Sequence, residues 1–185
     1  MKARTVVMAG GAALLLAGCA SLAGSGRPKA PEPARAVDAA SHFQGRWYEI
    51  GRTPMRLTDG CVAGYTDYLS KDGGLVQRDG CREGTPAGKE KVVAGALRIL
   101  DPGRNTKVRV DYRLFGFLPV PRTYWFLDQG DGWFIMSTPD LKLVNLYTRD
   151  PRPSPEVVAD LTSRTRALGY DGELEFPEVF PPGQR

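Results

Sequence analysis

The sequence predicts an all-β domain of eight short antiparallel strands followed by one helix, closed as an up-and-down barrel or packed as a sandwich. Three observations carry this. Short apolar–polar runs rich in Val, Tyr, Phe and Trp recur from Gly45 to Arg149. Turn signals separate them, among them Asp59-Gly60, Lys71-Asp72-Gly73-Gly74 and Asp101-Pro102-Gly103. No stretch of helical length lies between the runs, which disfavours a parallel α/β sheet. The 185 residues are 42% hydrophobic and 25% charged, enough for one domain with a real core.

The chain opens on an export signal. Lys2 and Arg4 precede an apolar run, Val6 to Leu16, too short for a comfortable membrane span. Leu16-Ala17-Gly18-Cys19 resembles the lipobox of bacterial lipoproteins, in which the cysteine is acylated and becomes the new N-terminus. The resemblance implies a signal peptide over 1–18 and a membrane anchor on Cys19. Ala20, where an aspartate would retain the protein in the inner membrane, implies the outer membrane, with the domain facing the periplasm. Residues 19–40 are rich in Ala, Gly, Ser and Pro and read as the anchor plus a flexible linker. The domain is expected over 41–181.

The first strand is Gly45 to Arg52, with small Gly45 and large Trp47 at its start. The second is Cys61 to Leu69 and the third Leu75 to Arg82, joined by a hairpin turn. Lys91 to Ile99 and Lys107 to Leu114 follow. Phe115 to Pro121 is apolar but carries two prolines, so it reads as a loop. Arg122 to Asp128, Trp133 to Thr138 and Leu141 to Arg149 complete the eight. A helix then starts at Ser154-Pro155-Glu156, a cap, a first-turn proline and an acid at the positive end. Val157, Val158, Leu161, Thr165 and Leu168 form one apolar stripe, so the helix packs outside the sheet; Gly169 ends it.

Cys61 and Cys81 bracket the second hairpin. In an exported chain this even pair reads as a disulfide rather than two free thiols, worth about 3 kcal/mol by loop closure. With His42 as the sole histidine and no CxxC, metal and haem sites lack ligands, and no cofactor motif is present. The formal charge of +4 falls to +2 without Lys2 and Arg4, and no basic stripe suggests nucleic acid.

Gly45-Arg46-Trp47-Tyr48-Glu49 resembles the first signature of the lipocalins. Asp128 lies where their second signature is expected, although its tyrosine is missing, and Arg149 falls where the third places an arginine over the tryptophan. With the lipobox, the chain is similar to bacterial outer-membrane lipocalin lipoproteins, relatives of apolipoprotein D. The resemblance implies an eight-stranded up-and-down β-barrel with the C-terminal helix outside. It also implies a floor made by Gly45, Trp47 and Arg149, and a fatty acid or lysophospholipid as ligand for storage or transport. An eight-stranded barrel is just wide enough for one small ligand. The candidates to line it are Tyr65, Tyr112, Phe115, Phe117, Tyr124 and Trp125, of which the adjacent Tyr124 and Trp125 cannot both face inward. Arg113 and Arg122 flank the apolar loop and could meet a carboxylate or phosphate. Phe115, Phe117 and Leu118 are expected at the rim, where they could touch a membrane. The alternatives are an envelope structural or interaction lipoprotein with a filled barrel, and a lipid-modifying enzyme using Glu49 and Asp67 as a lumenal pair. No catalytic motif favours the enzyme, and His42 reads as lying outside the cavity.

Overall fold

The computed structural model describes residues 30–178 and 180. Eight strands pair in chain order into a closed antiparallel barrel: β1 (Gly45–Arg52), β2 (Cys61–Lys71), β3 (Gly74–Glu83), β4 (Glu90–Ile99), β5 (Lys107–Leu114), β6 (Leu118–Gly130), β7 (Trp133–Ser137) and β8 (Val144–Thr148). A four-residue helix α1 (Ala39–His42) precedes β1, and α2 (Pro155–Ala167) follows β8. The sandwich is excluded because β8 pairs back onto β1. The expected signal peptide, the anchor at Cys19 and the tail from Pro181 lie outside the described residues.

The strap before the barrel corrects the expected linker. Residues 30–38 are held along the barrel wall rather than free. The Ala30 amide donates to Pro139 O in the β7–β8 loop, Lys107 pairs with Glu32 at 2.6 Å, Arg35 with Asp128 at 2.6 Å, and Val37 is buried in the floor. The packed unit therefore begins near Ala30, ahead of Ser41.

The expected proline loop is also mostly strand. β6 starts at Leu118 and pairs Pro119 with Arg113 and Pro121 with Asp111. β7 joins β6 only from Trp125 onward, so Leu118 to Tyr124 is an edge, where a missing N–H costs no ladder bond. The last strand is shorter than expected, because residues 141–143 belong to the preceding turn.

α2 packs on the outer face of β6, β7 and β8. Leu161 is fully buried with Leu127, Ile135, Val144 and Leu146. Val157, expected on the buried stripe, is exposed. Ser154 holds the cap position, but its side chain makes no capping bond to the backbone. Beyond α2 the chain returns to the open end, where Glu175 bridges Arg52 on the side of β1 that β2 has left. Cys61 and Cys81 form the expected disulfide across β2 and β3, with Cα atoms 5.5 Å apart.

Candidate functional site: the barrel lumen and its mouth

Strand alternation assigns each residue to the lumen or the outer wall. On β1, Trp47 and Glu49 face inward, and the register carries this to Thr66 and Gly64 on β2 and to Asp79 and Cys81 on β3. Gln77, Gly95, Tyr112 and Val120 lie on one inward row across β3 to β6. Tyr124 and Phe126, Phe134 and Met136, and Asn145 and Tyr147 complete the inner face from β6, β7 and β8.

The closed end is packed solid. The Arg149 guanidinium carbon stands 3.6 Å from the Trp47 ring centroid, while its nitrogens donate to Arg46 O and Ser41 O at 2.7 and 2.8 Å. This is the floor that the three signature residues imply. Gly45 is required there for its backbone, at φ +63, because a Cβ would meet Arg149 Nη1 only at an ordinary 3.6 Å. His42 corrects an expectation. It lies inside the floor, with its ring 4.5 Å from Phe126, 4.7 Å from Phe134 and 5.3 Å from Trp47.

Above the floor the lumen has two kinds of wall. Val93 on β4 and Val120 on β6, both partly exposed, make an apolar wall, while Val108 and Val110 on β5 face inward but are fully buried in the packed half. Glu49, Thr66, Gln77, Asp79 and Asn145 make a polar wall from β1, β2, β3 and β8. Glu49 is bonded by Arg52 at 2.8 Å and Asn145 at 2.6 Å. A Cβ on Gly64 would fall 2.3 Å from the Glu49 carboxylate, so glycine makes room for that acid. Asp79 accepts from Thr66 at 2.6 Å, from Gln77 Nε2 at 3.0 Å and from the Tyr112 hydroxyl. Burial pushes both carboxyls above their usual pKa range, against the lowering by Arg52 at Glu49 and by the hydrogen bonds at Asp79. Burial and the nearby Asp79 push the hydroxyls of Tyr112 and Tyr124 up as well. Glu49, Asp79 and Tyr124 face inward within the closed ring of strands yet keep accessible surface, as the lining of a cup does.

The expected ligand-contacting residues divide. Tyr112 and Tyr124 face the lumen, and the register puts Arg122 on the same inner face, exposed toward the mouth. Tyr65 is on the outer wall, beneath the Arg46 guanidinium at 3.7 Å and bonded to Glu90 and Arg78. Trp125 is also outside, with Lys107 4.1 Å over its ring. Arg113 lies on the outer wall beside Pro119 and Pro121, where a surface hollow of about 240 Å³ forms. Phe115 and Phe117 line nothing; they stand 85% and 74% exposed at the hairpin tip. Asp67 faces out and is held by Arg46 and Arg78, so the Glu49–Asp67 pair required by the enzyme reading does not share the lumen. The deep polar residues Gln77, Asp79 and Asn145 were not singled out from sequence. Their signal is a polar side chain at an inward position, which becomes readable only once Trp47 fixes the parity of β1 and pairing carries it round.

Eight antiparallel strands closed around a cup open at one end define the class of barrels that enclose small ligands. Residues 37–178 match the family model described as a lipocalin-like domain, and the chain belongs to that family. No curated protein matches it in sequence. Its fold is similar to that of insecticyanin from the tobacco hornworm Manduca sexta, at 17% identity over 82% of this chain and 85% of that one, with a TM-score of 0.62. It is likewise similar to lobster apocrustacyanin A1, at 14% identity, coverage of 83% and 92% and a TM-score of 0.57. The cockroach allergen Per a 4 has 12% identity, coverage of 83% and 95% and a TM-score of 0.57.

Proposed function

We propose that this chain is a lipid-anchored lipocalin of the bacterial outer membrane that stores or carries a single-chain membrane lipid, a lysophospholipid or a fatty acid. The observation that carries this is the divided lumen. An apolar wall from Val93 of β4 and Val120 of β6 faces a polar wall on β1, β2, β3 and β8, which suits one amphipathic molecule lying between them. The lipocalin fold generally encloses small hydrophobic ligands, and this family membership supports a binding role over catalysis. The two lumenal acids, Glu49 and Asp79, favour a zwitterionic lysophospholipid, whose head also carries a positive charge, over a fatty acid, which brings only a further negative one.

The position of the strap supports the anchored reading. With Cys19 acylated, the chain from there to Ala30 can span at most about 40 Å. Ala30 is fixed to the β7–β8 loop at the open end, so such an anchor would hold the mouth toward the bilayer.

A filled-barrel structural lipoprotein is the second reading, and the solid packing of Val108, Val110, Phe126 and Phe134 in the closed half favours it. Native mass spectrometry of the purified protein separates the two. The carrier reading expects a co-purified single-chain lipid, or stoichiometric uptake of lysophospholipid from micelles. A ligand-free mass with no uptake would leave the filled barrel standing.

A further inference from the structure

The polar wall holds one acid that no cation among its neighbours meets. Glu49 is matched by Arg52, which is buried and also reaches Glu175 on the C-terminal segment. Asp79 accepts only from the neutral groups of Thr66, Gln77 and Tyr112. Among the described residues it forms no ion pair, and neutral hydrogen bonds do not supply a counter-charge.

A second observation lies beside it. Gln77 is 1% exposed and faces the lumen. Its amide nitrogen is bonded to both Asp79 oxygens and to the Tyr112 hydroxyl, which fixes the amide orientation. Its amide oxygen, on the same carbon, has no partner. The Tyr68 hydroxyl, also 1% exposed and inward-facing, has none either. A buried acceptor without a donor costs free energy, and here one sits an amide's width from an unbalanced carboxylate. The Asp79 carboxyl calls for a positive charge and the Gln77 amide oxygen for a donor, and one cationic donor supplies both. Among the described residues no set of His, Cys, Asp and Glu could hold a metal ion, so the chemistry favours an organic cation.

We propose that the lumen is built for a ligand bearing a protonated primary amine, whose ammonium donates to the Asp79 carboxylate and the Gln77 amide oxygen between Tyr112 and Tyr124. This rests on the carrier reading and narrows it. The tyrosine rings add attraction, since the faces of aromatic rings draw cations. The amine could be the ethanolamine head of a lysophospholipid or a free long-chain amine, which share the same group.

The test compares dodecylamine, dodecanol and dodecanoate at pH 7 by displacement of a fluorescent lipid. All strands, both helices and the core clusters lie within residues 30–180, so the chain from Ala20, exported behind a non-lipidated signal, suits the measurement. Dodecylamine is expected to bind at least tenfold more tightly than dodecanol, with dodecanoate weakest. Asp79→Asn, nearly isosteric, should bring amine and alcohol within threefold, whereas Asp111→Asn on the outer wall should keep the full preference. Preference for lysophosphatidylethanolamine over lysophosphatidylcholine would assign the amine to the lipid head, and equal binding of those two would assign it to a free amine. Equal affinity for the three dodecyl probes, or an amine preference that survives Asp79→Asn, overturns the proposal while leaving the carrier reading intact. Binding of no probe at all overturns both.

Discussion

His42 closes the floor of the barrel as a neutral ring. Five aromatic side chains surround it, and its Nε2 is buried without a partner. Burial, helped by the positive charge of Arg149, holds its pKa down to about 3 from an ordinary 6.5. The unfolded chain therefore binds a proton between pH 6.5 and 3 that the folded chain refuses, and stability falls as pH drops through that window. At pH 4.5 the loss from this one residue is about 2 to 3 kcal/mol relative to pH 7. His42→Leu keeps the apolar packing and removes the titration. Urea midpoints at pH 7 and 4.5 should lie closer together in the variant by an amount matching that energy, and an unchanged gap would assign the acid sensitivity to the carboxylates. The signature reading gave Trp47 and Arg149 their neighbours, but it gave no warning of this histidine, because a four-residue helix ahead of the first strand leaves no periodic pattern.

At the scale of elements, the strands were legible because each carries its own alternation and its own turn. β1 and β5 have the expected bounds, and β2, β3 and β4 differ by a residue or two at their ends. What was not legible was side. Tyr65 and Tyr124 are both tyrosines in alternating strands, yet one packs under Arg46 outside and the other faces the cup. Only pairing decides between them: Trp47 opposite Thr66 turns Tyr65 outward. Bulges make parity harder still, since the register slips between Phe126 and Asp128 and again between Glu49 and Gly51. The second slip brings Arg52 onto the inner side with Glu49. The β2–β3 hairpin shows the opposite case, where two cysteines on facing strands announce their contact. Cys61→Ser with Cys81→Ser should lower the unfolding free energy by about 3 kcal/mol. Urea denaturation checks it, and a loss below about 1 kcal/mol would mean that the hairpin ladder alone holds the open end.

For the whole molecule, the strap, the mouth and the lumen point the same way. The strap reaches the barrel at the β7–β8 loop and runs down the wall to the floor, so the proposed membrane anchor ahead of it would pull on the open end. At that end Phe115, Phe117 and Leu118 project from the β5–β6 hairpin and Leu57 from the β1–β2 loop, all exposed, with Arg56, Arg113 and Arg122 nearby in sequence. Phe115 takes φ +54, a conformation that costs energy for a bulky residue and turns its ring out at the tip rather than back on the barrel. Under the proposed anchored reading, apolar tips beside arginines would suit a bilayer with anionic head groups, with the rings entering the interface and the guanidiniums meeting phosphates. Such contact would let a lipid pass from bilayer to lumen without crossing water. The tips lie off the inner face, so entry and affinity separate. Phe115→Ser with Phe117→Ser should slow uptake of a fluorescent lysophospholipid from anionic vesicles about tenfold, equivalent to about 1.4 kcal/mol on the transfer barrier. Affinity for the same lipid presented as monomer below its micelle concentration should stay within twofold. Stopped-flow transfer and equilibrium titration on the same two proteins decide it. Equal uptake rates would mean that the ligand enters from solution and that the exposed rings serve another contact.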